Sequence, residues 1–319
     1  MTLPSGLRVV EAGVYSLVVD GGRPHTRHWG VPLGGAADRA SWQLGNALIG
    51  NTPTAPALEI TLGGTVLQAL GPVALTLCGA PFTAFIDGQP LPVGCTVALR
   101  PGQHLQITGS PRGVRVYLCV AGGFMTPCCL GSHSAWHPVR PGDILPCASA
   151  TITRRRRLPD ELLGQLLPAE SGITCRVVDG PQRSWFPGDA FFQDTYTVLP
   201  ATNRMGVRLH GPPLPRPTGE LLSEPVAPGA VQITHDGQPI ILGVDAQTIG
   251  GYPKIAHVIR ADLDKLGQLR PGDLVRFVPV SREQAEQAAH QRRRWLQQWL
   301  DRLLMAEGTP VFVNQSLTD

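Results

Sequence analysis

Short apolar runs separated by turns are the feature that most restricts how this chain can fold. Of its 319 residues, 37 are Gly and 31 are Pro, and only 16% are charged, against about 25% in an average soluble protein. Runs such as 73–78, 114–120 and 240–244 are long enough for strands and short for helices. The pattern therefore predicts a mainly β protein with many turns.

Two segments instead have helical spacing. The first covers 39–49 and is followed by Gly50, a typical helix stop. The second begins at the capping box of Ser281 and Gln284, carries an apolar stripe, and is expected to end at Gly308. We interpret this C-terminal amphipathic helix as packed on its own chain; docking to a partner chain or to a membrane surface is the alternative.

The length suggests two β-domains. We expect an N-terminal β-domain at 1–150, a linker at 151–172, a C-terminal β-domain at 173–280 and a helical tail at 281–319. The linker contains four consecutive arginines at 154–157, interpreted as solvated, with an electrostatic patch as the alternative. An Arg-Pro-Gly turn at Arg100, Arg140 and Arg270 gives a weak indication that the two domains are related.

Several function classes are disfavoured. The net charge of +3 is too small to indicate nucleic-acid binding, and no apolar stretch approaches the roughly 20 residues of a membrane span. The N-terminus does not resemble a secretion signal, and seven scattered cysteines without a C-x-x-C pair suggest reduced thiols and no metal site. We therefore expect a cytoplasmic protein, with Cys128 and Cys129 as packing residues. P-loop, H-E-x-x-H and G-x-S-x-G motifs are missing from the sequence.

The densest polar segment lies at 229–256, where strand-like runs alternate with polar residues and turns. Its candidate substrate-binding residues are Gln232, Gln238, Gln247 and Tyr252. Carboxamides both donate and accept hydrogen bonds, so they suit a small amide or urea-like substrate. Lys254 can neutralise charge that develops on a substrate oxygen. The alternative is that each glutamine caps a strand edge.

Two arginines in turns are candidates for binding anionic groups. Arg23 follows an apolar strand in an Asp-Gly-Gly-Arg turn, and Arg204 occupies a second turn. The planar guanidinium matches carboxylate and phosphate. For Arg23 the alternative is an Asp–Arg pair that stabilises the turn. We expect Arg23, Arg204 and Gln247 to share one cleft.

These residues also carry a family resemblance, through motifs that occur together and in order over about 7–279. The motifs are Asp20-x-Gly22-Arg23, Gly30-Val31-Pro32, Asn46-x-Leu48-x-Gly50-Asn51, Leu58-Glu59, Ala121-Gly122-Gly123, Leu130-Gly131-Ser132, Asn203-Arg204-Met205-Gly206, Ser223-Glu224, 229–238 and 247–256. The chain resembles the carboxyltransferase-type family that includes the C subunit of ATP-dependent 5-oxoprolinase, the sporulation-kinase-inhibitor antagonist, subunit 2 of allophanate hydrolase and the carboxyltransferase region of urea amidolyase.

The resemblance implies two cyclophilin-like β-barrel domains and a partner, the family's B subunit, together with a ring-opening A subunit. The implied reaction is ATP-dependent cleavage of 5-oxoproline to glutamate, with ATP used by the complex. On this hypothesis Asp20 or Glu59 handles a proton, Lys254 polarises the amide carbonyl, and the arginines and glutamines position the substrate.

Two alternatives stay open. In the urea amidolyase branch the implied reaction is carboxyl transfer from carboxybiotin to urea or a similar amide. The chain has no Met-Lys-Met motif, so biotin would come from another protein. The sequence also departs from the usual family pattern at Val19, Gly34, Asn203 and Pro225 and in a short loop after Ser134. These departures keep the other alternative open, a non-catalytic regulator that binds a kinase inhibitor similar to the B subunit.

Overall fold

The computed structural model describes residues 5–168, 172–215, 221–306 and 310–312, so Gly308 and the N-terminal four residues lie outside the described part. The strands are β1 (Gly6–Ala12), β2 (Tyr15–Val19), β3 (Ala57–Thr61), β4 (Thr65–Ala69), β5 (Val73–Gly79), β6 (Ala84–Ile86), β7 (Gln89–Pro90), β8 (Thr96–Leu99), β9 (His104–Ile107), β10 (Arg115–Val120), β11 (Ile144–Pro146), β12 (Ala150–Thr151), β13 (Ile173–Asp179), β14 (Thr195–Val198), β15 (Gly206–His210), β16 (Glu224–Pro225), β17 (Ala230–Ile233), β18 (Pro239–Leu242), β19 (Ile249–Gly250), β20 (Lys254–Val258), β21 (Leu274–Pro279) and β22 (Val311–Phe312). The helices are α1 (Arg39–Leu48), α2 (Asp160–Gln165), α3 (Ala190–Gln193), α4 (Leu263–Leu266) and α5 (Arg282–Met305), with 3-10 turns at Arg27–Trp29, Arg183–Trp185 and Arg260–Asp262. The prediction of a mainly β protein is confirmed.

The chain divides into two compact units. The first unit contains Met1–Gly22, Arg39–Leu167 and Leu296–Asp319, and the second contains Arg23–Asp38 and Pro168–Trp295. This division differs from the sequence-based boundaries in three places: 23–38 groups with the second unit, 151–167 of the expected linker groups with the first unit, and α5 is divided between the units. Hydrophobic periodicity cannot foresee these assignments, since they depend on contacts between distant parts of the chain.

The first unit is built from two sheets. Their strand orders are β11-β1-β4-β9-β6-β7 and β2-β3-β10-β5-β8. Buried side chains from both sheets form one core, including Leu7 and Leu67 from the first and Leu58 and Leu118 from the second. The resemblance implied a barrel here, and the structure has two separate sheets with a shared apolar core, whereas the second unit has a closed barrel.

Helix α1 confirms the helix predicted at 39–49. Its end is a Schellman motif: the Gly50 N–H donates to the Ala47 carbonyl at 3.1 Å, and the Asn51 N–H donates to the Asn46 carbonyl at 2.9 Å. Gly50 has a φ of 84°, which explains the glycine. Midway along α1, a Cβ on Gly45 would lie 2.8 Å from the Cys119 sulfur, so that position requires a glycine as well.

The second unit is a closed seven-stranded barrel. Its strand order is β13-β20-β17-β18-β15-β14-β21, with β13 and β21 parallel and the other pairs antiparallel. Aromatic rings pack in its core, where Phe191 stacks on Phe277 at 4.4 Å between centroids and Tyr196 meets Phe277 at 5.7 Å. A separate two-stranded sheet pairs β16 with β19. Among the helices of the described residues, none has the length and hydropathy to cross a bilayer.

The capping box predicted at the start of α5 is present. The Ser281 N–H donates to Gln284 Oε1 at 2.9 Å, and the Gln284 N–H donates to Ser281 Oγ at 3.2 Å. Ala288, Leu300 and Leu303 on this helix are buried. Burial of these three positions agrees with a helix that packs on its own chain.

Arg156 corrects the interpretation of 154–157 as a solvated run. Its side chain is buried, Nη1 donates to the Ala47 carbonyl at 3.4 Å, and Nη2 donates to the Leu303 carbonyl. Both carbonyls belong to the last turns of helices, α1 and α5, where the negative end of the helix dipole attracts a cation. One guanidinium therefore caps two helix ends within the first unit.

We predict that Arg156→Met lowers the free energy of unfolding by about 1–3 kcal/mol, because two buried carbonyls lose a charged donor. Arg157→Met is the matched control. Its ion pair with Asp160 is largely exposed, so the expected loss is within about 1 kcal/mol. Urea denaturation followed by circular dichroism measures both variants. Equal loss in the two would contradict the helix-capping role.

Candidate functional site

A buried lysine and a half-exposed glutamate form the centre of the candidate site in the second unit. Lys254 on β20 has a side chain that is 6% exposed and makes an ion pair with Glu224 on β16, whose side chain is 35% exposed. Gln182 joins them: Nε2 donates to Glu224 Oε1 at 2.8 Å, and Oε1 accepts from the Lys254 backbone N–H at 3.0 Å. Hydrogen bonds from Lys254 and Gln182 hold the pKa of Glu224 below its ordinary value. Glu224 is therefore an anion at neutral pH.

Two carboxamides lie beside this pair. Gln232 on β17 is opposite Lys254 in the barrel, at a bulge in the β17–β20 ladder. A Cβ on Gly250 would lie 2.7 Å from Gln232 Nε2 and 3.6 Å from Gln247 Nε2, so both amides converge on that glycine. Gln232 is buried and Gln247 is exposed. We call Gln182, Glu224, Gln232, Gln247 and Lys254 the lysine–glutamine cluster.

The two candidate arginines lie close to one loop. Arg204 makes a bidentate pair with Asp245, at 2.6 Å from Nε and 2.9 Å from Nη2, and also donates to the Gly35 carbonyl at 2.7 Å. Arg23 Nη1 lies 3.4 Å, and Asp245 Oδ1 4.0 Å, from the point that a Cβ on Gly34 would occupy. Arg23 and Arg204 are both buried. The second unit thus brings them to a common location.

Arg27 connects this loop to the strands that carry the cluster. Its Nη2 donates to the Val226 carbonyl at 2.6 Å and to the Gln247 carbonyl at 2.9 Å. Val226 follows β16 and Gln247 precedes β19, and the two strands are antiparallel, so one side chain joins both strands at the same end of the two-stranded sheet. Arg27 is a positioning residue that the sequence reasoning missed.

Gln238 and Tyr252 have partners within the fold. Gln238 Oε1 accepts from the Gly211 N–H at 2.9 Å, and its Nε2 donates to the Gly211 carbonyl at 3.0 Å. Tyr252 is half-buried and meets the His235 ring edge-to-face at 5.2 Å between centroids. Both the oxygen and the nitrogen of the Gln238 carboxamide are hydrogen-bonded to the backbone of Gly211. This agrees better with the strand-capping alternative than with substrate binding.

The two predicted acidic residues belong to the first unit. Asp20 follows β2 and accepts four hydrogen bonds: Oδ1 from the Gly22 N–H, Ser132 Oγ and Ser134 Oγ, and Oδ2 from the His133 N–H, at 2.5–2.8 Å. Burial opposes ionisation, but these bonds together hold the pKa of Asp20 below its ordinary value. Such a carboxylate anchors the 132–134 loop and is a weak proton acceptor.

Glu59 is enclosed completely. It lies on β3 with no exposed surface, and its carboxylate accepts from Arg115 Nε at 3.2 Å and from Tyr117 Oη at 2.8 Å. Tyr117 is its cross-strand neighbour on β10. A substrate has no path to this carboxylate in the structure, so the geometry indicates a buried ion pair that joins β3 and β10.

Gln182 and Glu224 were not singled out from the sequence as site residues. Glu224 belongs to the Ser-Glu motif of the family resemblance, which is the signal that pointed to it. Gln182 is 72 residues from Lys254 and lies outside every motif, so only the folded barrel identifies it. The expected reduced cysteines are free thiols, and Cys128 and Cys129 are exposed, which corrects their interpretation as packing residues.

The residue types of the lysine–glutamine cluster suit amide recognition and carbonyl polarisation. A cation with a fixed counter-ion can stabilise charge on a carbonyl oxygen, and a carboxamide can donate to and accept from a planar amide. Gln247 is exposed, whereas Gln232 is buried and its Nε2 lies 3.5 Å from the Tyr252 carbonyl. Among the described residues, no group of three or more His, Cys, Asp or Glu side chains is arranged to hold a metal ion.

Comparison with known proteins identifies the class. The family described as "Carboxyltransferase domain, subdomain A and B" matches residues 29–279, and the chain belongs to that family. The chain is 37% identical to the C subunit of 5-oxoprolinase from Escherichia coli, over 93% of this chain and 98% of the relative. It is 30% identical to urea amidolyase of Saccharomyces cerevisiae over 88% of this chain, which spans only 17% of that relative.

A solved structure shares the fold. The Kluyveromyces lactis urea carboxylase has a TM-score of 0.83 and 27% identity to this chain, over 98% of this chain and 31% of that one. The relatives bear the names of enzymes or enzyme subunits. Membership of this family therefore gives the chain an enzyme-related role that involves protein partners.

We predict that Asp20→Asn lowers the free energy of unfolding at pH 7 by about 1–3 kcal/mol, because an amide nitrogen would face hydrogen-bond donors. The folded pKa of Asp20 is depressed, so its contribution is present above the ordinary value of 3.8 and is lost as the pH falls through the lower folded pKa. Denaturation at several pH values measures the difference in free energy of unfolding between Asp20→Asn and the parent, and this difference should disappear only in strong acid. A difference that does not change with pH would contradict a stabilising role for the ionised Asp20 carboxylate.

Proposed function

We propose that this chain is the C subunit of an ATP-dependent 5-oxoprolinase. On this proposal it works in the cytoplasm with proteins similar to the A and B subunits and converts 5-oxoproline to glutamate. The observation that carries the proposal is the match to a bacterial 5-oxoprolinase C subunit over 98% of that protein at 37% identity. Because the similarity extends over nearly all of that subunit, it supports the same role for this chain. The lysine–glutamine cluster has the residue types that recognition of a cyclic amide requires.

Recognition of 5-oxoproline needs groups for a ring amide and for a carboxylate. The ring amide presents one N–H donor and one carbonyl acceptor, which the carboxamides of Gln232 and Gln247 can complement. The substrate carboxylate calls for a cation, and Arg23 and Arg204 are the candidates near the loop at Gly34. We assign direct contact to Arg23, whose Nη1 lies 3.4 Å from the point that a Cβ on Gly34 would occupy, and a positioning role to Arg204, which holds Asp245 and the Gly35 carbonyl.

Ring opening requires stabilisation of negative charge on the amide oxygen. Lys254 is the residue that we assign to this role, since a buried ammonium interacts strongly with a developing oxyanion. Glu224 pairs with the ammonium, and Gln182 holds Glu224 and the Lys254 backbone N–H in place. ATP hydrolysis by the complex would supply the free energy for the reaction. The proton-handling roles of Asp20 and Glu59 remain predictions that their structural partners make less favourable.

Reconstitution with purified A and B subunits tests the proposal. The parent chain should support ATP-dependent release of glutamate from 5-oxoproline. Lys254→Met should reduce kcat by about 10²–10³-fold, as expected when one group that stabilises an oxyanion is removed. For each variant, glutamate formation is measured together with its binding to the B subunit.

The control is Lys265→Met, which removes the other lysine of the chain. Lys265 pairs with Asp262, but Asp262 also accepts from Arg176, so its charge stays compensated. This variant should retain activity within about threefold, because it lies outside the lysine–glutamine cluster. Full activity of Lys254→Met, with the complex intact, would refute the assigned role.

Carboxyl transfer is the second candidate, and the TM-score of 0.83 with a urea carboxylase favours it. Here carboxybiotin on another protein would donate to urea or a similar amide, and the same carboxamides would hold the acceptor. Carboxylation of urea in the presence of a biotin carboxylase and carrier, without activity on 5-oxoproline, would replace the first proposal. Stable binding to the B subunit, with no turnover in either assay, would indicate a non-catalytic regulator.

A further inference from the structure

A basic groove in the first unit lies outside the lysine–glutamine cluster. Its cavity volume is about 510 Å³, and it is lined by residues of β7, β8, the following turn and 155–157. Arg100, Arg155 and Arg157 contribute guanidinium groups, while Leu91 and Val97 contribute apolar surface. The groove therefore combines three cations with an apolar wall.

The fold fixes two of these arginines through the residue between them. Arg156 is buried and holds the ends of α1 and α5, and its backbone is pinned to β8: its N–H donates to Thr96 Oγ1 at 2.8 Å, and its carbonyl accepts from the Thr96 N–H at 2.9 Å. Successive side chains of an extended segment point to opposite sides. Arg155 and Arg157 therefore face the groove because Arg156 faces the interior.

The third arginine comes from a different turn. Arg100 begins the Arg-Pro-Gly-Gln turn between β8 and β9, and its backbone N–H donates to Gln103 Oε1 at 2.9 Å. The turn is fastened further by Gln103 Nε2, which donates to Asp87 Oδ2 at 2.9 Å. Two separately anchored segments thus present cations to the same cavity.

The groove has little negative charge to oppose these arginines. None of the described residues that line it is acidic. Asp160 pairs with Arg157 at 2.7 Å, but both side chains are more than half exposed, so water weakens the pair. Among the contacts described for Arg100 and Arg155, no side-chain ion pair occurs. A ligand anion would therefore meet the guanidinium groups of Arg100 and Arg155, for which the described part of the chain shows no ion pair.

Cys95 provides a reporter for occupancy of this groove. The thiol is half-buried in the groove wall, and burial raises its pKa although Arg157 and Arg155 act in the opposite direction. Its modification is therefore followed at alkaline pH, where the reactive thiolate is populated. A ligand in the groove would shield the thiol from modification.

We propose that this groove binds a small polyanion, with two or more phosphate or carboxylate groups held by Arg100, Arg155 and Arg157. Guanidinium groups form forked hydrogen bonds with either kind of oxyanion, and an apolar portion of the ligand would pack on Leu91 and Val97. The site is independent of the proposed function, since its residues belong to the first unit and the lysine–glutamine cluster belongs to the second.

Isothermal titration of the full chain with pyrophosphate, citrate and ATP tests the site. At least one should bind saturably with a Kd below about 1 mM, and Arg100→Gln and Arg155→Gln should each weaken that binding by about tenfold. The preferred probe distinguishes phosphate from carboxylate ligands, and a preference for ATP over pyrophosphate would indicate that the apolar wall contributes. Affinity should fall as ionic strength rises.

Matched controls come from the same sequence patterns. Arg140→Gln alters an identical Arg-Pro-Gly turn outside the groove, and Arg154→Gln alters the same arginine run at a residue that does not line it. Arg140→Gln should bind within about twofold of the parent, because distant surface substitutions act independently. Arg154→Gln should weaken binding less than Arg155→Gln does, because Arg154 does not line the groove. In a Cys128→Ser, Cys129→Ser background, the bound probe should also slow modification of Cys95.

Two results would overturn the proposal. One is the lack of saturable binding of any of the three probes up to about 5 mM, a concentration at which even a weak specific site would fill. The other is binding that Arg100→Gln and Arg155→Gln leave unchanged, or that leaves Cys95 equally reactive. Circular dichroism of each variant verifies that the fold is intact.

Discussion

The buried charge of Lys254 is the constraint on which the second unit depends. An ammonium removed from water is costly unless a counter-ion and hydrogen bonds compensate it. Glu224, on a strand outside the barrel, is the counter-ion, and Gln182 hydrogen-bonds to both Glu224 and the Lys254 backbone. The barrel and the β16–β19 sheet are therefore coupled by the electrostatics of one side chain. Arg27 reinforces the coupling by holding the carbonyls of Val226 and Gln247.

Arginine and lysine side chains have different roles in this protein. It contains 25 arginines and only two lysines. Two buried arginines make several bonds to fixed partners: Arg204 binds Asp245 with two nitrogens, and Arg156 binds two helix ends. A lysine is a compact charge whose ionisation responds to its surroundings. That one of two lysines is buried beside two carboxamides sets this position apart from the structural arginines.

Much of the fold could be predicted because it depends on local pattern. The Schellman end of α1, the capping box of α5 and the mainly β architecture all follow from residues close in sequence. The distant residue to which each polar side chain hydrogen-bonds could not be predicted. Gln238 binds the backbone of Gly211, and Gln182 reaches Lys254 across 72 residues, although both are ordinary glutamines in the sequence. A carboxamide that clamps a strand and one that lines a site have the same local pattern.

The exposure and hydrogen bonding of the carboxylates limit which of them could contact a substrate. Asp20 is saturated by four donors, and Glu59 has no exposed surface. Glu224 remains about one-third exposed and contacts the cation of the cluster. Its folded pKa is depressed, so the ion pair persists at neutral pH and is lost as the pH falls through that lowered value. Acid would then leave Lys254 without its counter-ion. In the first unit, the charged anchor at Asp20 is lost in the same sense, as the pH falls through the lowered pKa of Asp20.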